Sequence, residues 1–203
     1  MPGKKAVPDH PIHPLLVERW SPYAFDSRPV PESELRSLFE AARWAASSYN
    51  EQPWSYIVAT KDDPAGFERL LSCLVEVNQA WARAVPVLAL GIVHQKFTRN
   101  GKDNRTASHD LGLAAGNLLV EATARGLSVH QMAGILPDRA RELYAIPEDH
   151  VAWTAIAIGY RADPSAVEEP YRSRDLTPRP RKTLAEFVFG EKWGTTAPLV
   201  SKG

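Results

Sequence analysis

Between residues 41 and 60 the period of the sequence changes. An alanine-rich helical pattern runs out at Ser47 and Ser48, a polar turn follows, and residues 55–60 (SYIVAT) read as a strand. Pro53 biases Gln52 away from helix and removes one backbone donor, so the joint is rigid. The turn carries two hydroxyls, two amides, a carboxylate and a phenol, more hydrogen-bonding chemistry than a connection needs. On chemistry alone it is either a capped loop plugged by Trp54 or a binding turn.

The bulk numbers set wide limits. A chain of 203 residues is long enough for one domain with a sizeable core. Its 44% hydrophobic and 24% charged residues are those of a globular protein. Zero net charge argues against nucleic acid or an anionic membrane as partner. The single cysteine, Cys73, excludes an internal disulfide and fits a reducing compartment. No apolar run approaches the ~20 residues of a membrane span, and the proline-dense start lacks the pattern of a leader. A cytoplasmic protein is expected. His10 and His13 form an H-x-x-H pair, but Pro8, Pro11 and Pro14 prevent the helix on which it would converge, so no metal is expected.

Periodicity predicts three or four strands and five or more helices. Residues 1–14 read as a flexible tail and residues 15–20 as a short helix. A helix starts at 31–34, with Leu35, Leu38, Phe39 and Ala42 on its buried face. Residues 62–84 read as two helices, from 64 to about 77 and from 79 to 84. Residues 85–93 (VPVLALGIV) read as a strand buried on both faces. A polar loop, 94–105, precedes the longest helix, 106–125, which Gly126 ends as a left-handed cap. Residues 137–144 predict another helix and 151–160 a central strand. Residues 171–181 are proline-rich, basic and expected to be irregular. No glycine-rich dinucleotide or triphosphate loop is present.

The run A-A-R-W-A-A-S-S-Y-N-E-Q-P-W resembles the signature of the nitroreductase family, the FMN-dependent NAD(P)H oxidoreductases. The resemblance implies that Ser47, Ser48 and Asn50 lie against the flavin and that Gln52 begins the segment entering the sheet. Arg19-Trp20-Ser21-Pro22-Tyr23 resembles the family's R-x-S-x-R segment, where arginine and serine bind the FMN phosphate and ribityl chain. A phosphate monoester is well met by a guanidinium fork and a hydroxyl. Tyr23 stands where the family usually has a basic residue beside the flavin's pyrimidine edge. Either another cation takes over, Arg43 being one candidate, or the flavin is harder to reduce. Asn78 begins an N-x-x-W segment and either reaches the ribityl hydroxyls or caps a helix. Met132-Ala133-Gly134 resembles the stretch whose backbone N–H sits beside flavin N5, where a glycine lets the main chain approach closely. Arg179, Arg181 and Lys182 match the C-terminal arm, where one or two bases complete the phosphate site. Tyr49 and Phe97 are expected to line the substrate slot. No side chain is assigned as catalytic acid or base.

The resemblance further implies an α+β fold with a mixed, mostly antiparallel central sheet flanked by helices. It implies an intertwined homodimer with FMN at the interface. Residues 15–194 form the FMN-binding domain, 171–194 the arm that embraces the partner, and 195–203 a flexible tail. The implied chemistry is hydride transfer from NADH or NADPH, by a ping-pong mechanism, to nitroaromatics, quinones or similar acceptors. A reductive dehalogenase, an oxygen-using flavin enzyme and a non-enzymatic redox-sensing module are the alternatives on the same fold.

Overall fold

The computed structural model describes residues 4–200, so the outermost parts of both expected tails lie outside the described residues. The fold is built on a four-stranded sheet of order β1-β2-β4-β3: β1 (Trp54–Thr60), β2 (Val87–His94), β3 (Ser128–Met132) and β4 (His150–Gly159). All three pairings are antiparallel, with a register shift between Gly91 and Ile92. The helices are α1 (Pro14–Glu18), α2 (Glu32–Arg43), α3 (Pro64–Leu71), α4 (Glu76–Ala82), α5 (Ala107–Ala124), α6 (Pro137–Tyr144) and α7 (Tyr171–Leu176). This is the expected α+β architecture.

The alternation along β2 and β4 explains the layers. Val87 and Ala89 of β2, with Ile156 and Ile158 of β4, face a cluster formed with Leu35 and Leu38 of α2 and Ala114 and Leu118 of α5. Leu88, Leu90, Ala155 and Ala157 point the other way, onto Phe67, Leu70 and Leu71 of α3 and Trp81 of α4. Successive strand residues face opposite sides, so a strand covered on both needs a continuous apolar run. Fully burying each leucine contributes ~1.5–3 kcal/mol.

Four boundaries depart from the sequence expectation. Helix α2 ends at Arg43, four residues before the serines: Trp44 caps it, and its indole N–H donates to Glu40 at 2.8 Å. Residues 62–84 break earlier than expected, because Ser72–Val75 leave the helix and Leu74 bridges to Ile135. Residues 128–132 form an edge strand that the flanking glycines conceal. Residues 171–176 are helical, against the expectation of irregular chain, because Pro178 and Pro180 fall beyond the helix end and Pro170 sits at its N-cap, outside the helix interior.

The tails are better anchored than expected. Lys4 is buried, and its ammonium donates to the Arg174 carbonyl at 2.7 Å and to the Thr177 carbonyl. Residues 7–13 are exposed. Residues 195–200 return to the fold: the Ala197 N–H donates to Val188 at 3.0 Å and Ala197 is buried. No helix of the described residues is long and apolar enough to cross a membrane.

Candidate functional site

The expected site residues fall into two groups. The first gathers around residues 19–24. Arg19 and Ser21 are adjacent, with Arg19 Nη1 3.4 Å from Ser21 Oγ. Arg179 donates to the Arg19 carbonyl at 2.8 Å and to Val17 at 3.3 Å. Arg19, Arg179, Arg181 and Lys182 line one cleft of about 1000 Å³. Among the described residues none of the three arginines forms an ion pair. Burial lowers the pKa of Arg19, and Arg181 lowers it further. Burial acts likewise on Arg179, reinforced by Arg19 and Arg181. The buried Arg179 Nε has no partner. Asp9 also lines the cleft but pairs with none of them, and three neighbouring guanidinium groups with no ion pair, one with an unused donor, fit a multiply charged anion.

Asp175, which the sequence reading missed, holds this segment. It is 1% exposed and accepts from the Tyr23 N–H at 3.0 and 3.1 Å and from Ala24 N–H at 3.0 Å. Only its position among prolines and bases hints at it in the sequence. Trp20 is buried, with Lys4 5.2 Å and Arg161 5.5 Å from its ring, so its side chain braces the segment from within.

Tyr23 packs against Trp81 (5.1 Å), His130 (4.7 Å) and Tyr171 (5.2 Å). His130 Nδ1 lies 2.8 Å from the Pro22 carbonyl, and burial pushes its pKa down. Arg43, the suggested replacement cation, is exposed and tied to Glu40 at 2.5 Å. The guanidinium over Tyr23 is that of Arg174, at 5.8 Å.

Asn78 joins the same group. Its Nδ2 donates to the Gly134 carbonyl at 3.0 Å, and Val75 N–H donates to the same oxygen at 3.1 Å. Among the described residues both hydrogen bonds of Gly134 use its carbonyl, and its N–H has no acceptor. A Cβ at Gly134 would stand 2.6 Å from Asn78 Nδ2 and 2.7 Å from Val75 Cγ2, so only glycine fits. Met132 is buried beside it, and Ala133 is exposed.

The second group surrounds the polar turn. Tyr49, Asn50 and Gln52 adopt φ of 55°, 57° and 50°, conformations that cost non-glycine residues energy and collect at functional turns. The turn is tightly tied. Ser47 Oγ accepts from Gln52 N–H at 2.9 Å, Gln52 Nε2 donates to Asn50 O at 3.0 Å, and Ser48 N–H donates to Asp110 Oδ2 at 3.1 Å. Asp110 is a second buried carboxylate the sequence reading missed. Its signals in the sequence are a lone acid in the first turn of an apolar helix and its place at the head of the run Asp110-Leu111-Gly112-Leu113-Ala114, which resembles the family's D-x-G-x-A helix. Phe97 meets Tyr49 edge-on at 5.8 Å, and the Arg99 guanidinium lies 3.8 Å over Tyr49. Glu51 accepts from the Thr98 N–H at 2.6 Å and fastens the loop to the turn.

The groups sit at opposite ends of α5. Asp110 in its first turn holds Ser48, while Thr123 in its last turn shares a cleft with Arg19. Thirteen helical steps separate Asp110 from Thr123, about 20 Å at ~1.5 Å per residue. The α5 surface between is bare in places: Gly112 and Gly116 have nothing within 4 Å of a built Cβ, and Leu113 is 41% exposed.

The chain is similar to known proteins over most of its length. The profile of the Nitroreductase family matches residues 16–160. A protein named NADH dehydrogenase from Thermus thermophilus is 28% identical over 189 residues, covering 79% of this chain and 89% of its own length. The major NAD(P)H-flavin oxidoreductase of Aliivibrio fischeri is 26% identical, with 88% and 98% covered. A crystal structure described as an oxidoreductase containing FMN superposes with a TM-score of 0.87 at 33% identity, over 94% of this chain and 96% of that one.

Proposed function

The chain belongs to the nitroreductase family, and from that premise we propose that it uses FMN to pass reducing equivalents from NADH or NADPH to nitroaromatics, quinones or similar electron-poor acceptors. An NAD(P)H-dependent, FMN-containing oxidoreductase is also what the relatives' names describe. The observation that carries the reading is the cluster of Arg19, Arg179 and Arg181 lining one cleft with no ion pair among the described residues.

When bound, FMN supplies the hydride-accepting centre. The protein supplies position and charge. The arginines and Ser21 hold the phosphate dianion by charge-assisted hydrogen bonds. Asp175 fixes the backbone from which Arg19 and Ser21 project. Asn78 and Val75 pin the Gly134 carbonyl and so aim its N–H. Ser47, Ser48 and Asn50 serve the cofactor from a second copy of the chain, because within one chain the α5 end that holds Ser48 and the α5 end that shares a cleft with Arg19 lie about 20 Å apart along the helix. The bare α5 surface and the 74% exposed Trp44 support a homodimer whose interface completes each site. Tyr49 and Phe97 wall a slot that nicotinamide and acceptor occupy in turn, the requirement of a ping-pong mechanism.

The test is an absorbance spectrum of the purified protein, followed by anaerobic mixing with NADH or NADPH. A flavin spectrum that bleaches on mixing supports the proposal and identifies the donor. A flavin spectrum that stays oxidised with both donors turns the reading to a flavin-binding module. Protein that neither carries nor takes up FMN refutes it. Light scattering reads the dimer independently.

A further inference from the structure

One cluster of ligating side chains lies outside the flavin residues. His94 ends β2 and His150 begins β4, directly paired across the ladder. Their rings stack with centroids 4.4 Å apart and planes 11° apart. Asp149 stands between them, with Oδ2 3.2 Å from His94 Nε2 and Oδ1 2.7 Å from His150 Nδ1. One donor atom from each residue lies within 4.8 Å of the others, and all three residues are half-buried. Asp149 also lines an open cleft of about 860 Å³ that Glu148 and Asp103 share.

We propose that His94, Asp149 and His150 form a binding site for one zinc-type divalent transition-metal ion per chain. Two imidazoles and one carboxylate are the ligand chemistry of such ions, and three protein ligands leave a fourth position for water. Bonds of ~2.0–2.2 Å require donors roughly 3.3 Å apart at tetrahedral angles. His94 Nε2 already stands 3.2 Å from Asp149 Oδ2, while His150 Nδ1 faces the other oxygen, Oδ1, at 2.7 Å. One donor atom from each residue lies within 4.8 Å of the others, so rotation of the His150 and Asp149 side chains about their soft terminal torsions brings the three donors to one ion. Each ring coordinates as a neutral imidazole through the nitrogen that faces Asp149, with its one proton on the other ring nitrogen.

The site sits where it braces the polar turn. His94 N–H donates to Pro53 O at 2.8 Å, and Gln95 N–H donates to Asp149 O at 2.8 Å. An ion here clamps the end of β2 and the start of β4 to the turn carrying Ser47, Ser48 and Asn50. The proposal stands on these three side chains and does not depend on the flavin reading.

The experiment uses tag-free, chelator-stripped full-length protein titrated with zinc chloride against a chromophoric chelator. One equivalent per chain is expected, weakened more than about tenfold in each of His94→Ala, His150→Ala and Asp149→Asn. Zinc is also expected to raise the melting temperature of the wild type and not of the variants. Binding retained in all three variants overturns the proposal, as does binding lost in His13→Ala or no binding by the wild type. X-ray absorption of the zinc-loaded wild type reads the ligand set without a variant. Two imidazoles and an oxygen at about 2.0–2.2 Å support the site, whereas a sulfur ligand or a single imidazole refutes it.

Discussion

Replacing Asp175 tests whether the C-terminal arm builds the anion site. The carboxylate is 1% exposed and receives two backbone N–H groups, those of Tyr23 and Ala24. A hydrogen bond to a charged acceptor is worth ~1.5–3 kcal/mol on deletion, and each buried donor left unpaired adds its own desolvation cost. Relief from burying the charge offsets part of that loss. Asp175→Ala therefore destabilises by roughly 3 kcal/mol. For a chain of this size that lowers the melting temperature by about 6–12 °C. Asp175→Asn keeps one acceptor oxygen in place of Oδ2, which serves both donors, and turns an amide toward Tyr23. Its cost is about 1–2 kcal/mol.

Urea unfolding measures both costs, and quenching of flavin fluorescence measures FMN affinity. Asp175 orients the segment bearing Arg19 and Ser21, and its helix leads to Arg179. FMN binding should therefore weaken tenfold or more in Asp175→Ala and less in Asp175→Asn. An alanine variant within about 0.5 kcal/mol of wild type, with FMN affinity unchanged, would refute the assigned role.

Gly134→Ala places a methyl against Asn78 Nδ2 at 2.6 Å and Val75 Cγ2 at 2.7 Å; it should cost ~1–3 kcal/mol in urea unfolding and release FMN, and Asn78→Ala in the same chain should recover part of the loss. Tyr56 carries a buried hydroxyl with no partner, and burial pushes its pKa up to about 12. Tyr56→Phe should leave the melting temperature unchanged or raise it, while the ring contact with Phe39 at 5.2 Å is kept. Burial holds His130 neutral in the fold below its ordinary 6.5, so the unfolded chain binds the extra proton first as pH falls. Stability should decline from about pH 6.5 down to the lowered folded value, and His130→Gln should flatten that slope in urea titrations at stepped pH.

Legibility in the sequence followed the range of the interaction. Residues 137–144 and the continuous apolar run of β2 were readable because helix starts and doubly buried strands are written locally, in Pro137 and in seven successive buried residues. The edge strand β3 was not. Five residues, SVHQM, carry too little alternation to outweigh the glycines around them, and their register exists only through β4. Helix α7 was hidden by its composition, since prolines at 170, 178 and 180 mark its limits rather than its interior.

The site divides by the same logic. The serines, Asn50 and Gly134 carry their chemistry in a local pattern. Asp110 and Asp175 act over separations of 62 and 152 residues, on backbone N–H groups that belong to other elements. Each is an ordinary acid until the fold supplies its donors. Yet these two carboxylates hold the two halves of the site, one through Ser48 and the other through Tyr23 and Ala24. Recognition of the motif thus finds the residues proposed to meet the cofactor, and only the tertiary structure finds what holds those residues in place. The separation of the halves along α5 repeats this one level up. In the homodimer we propose, a local motif at Ser47–Asn50 and a local motif at Arg19–Ser21 become one site when a second chain lays its α5 against the first.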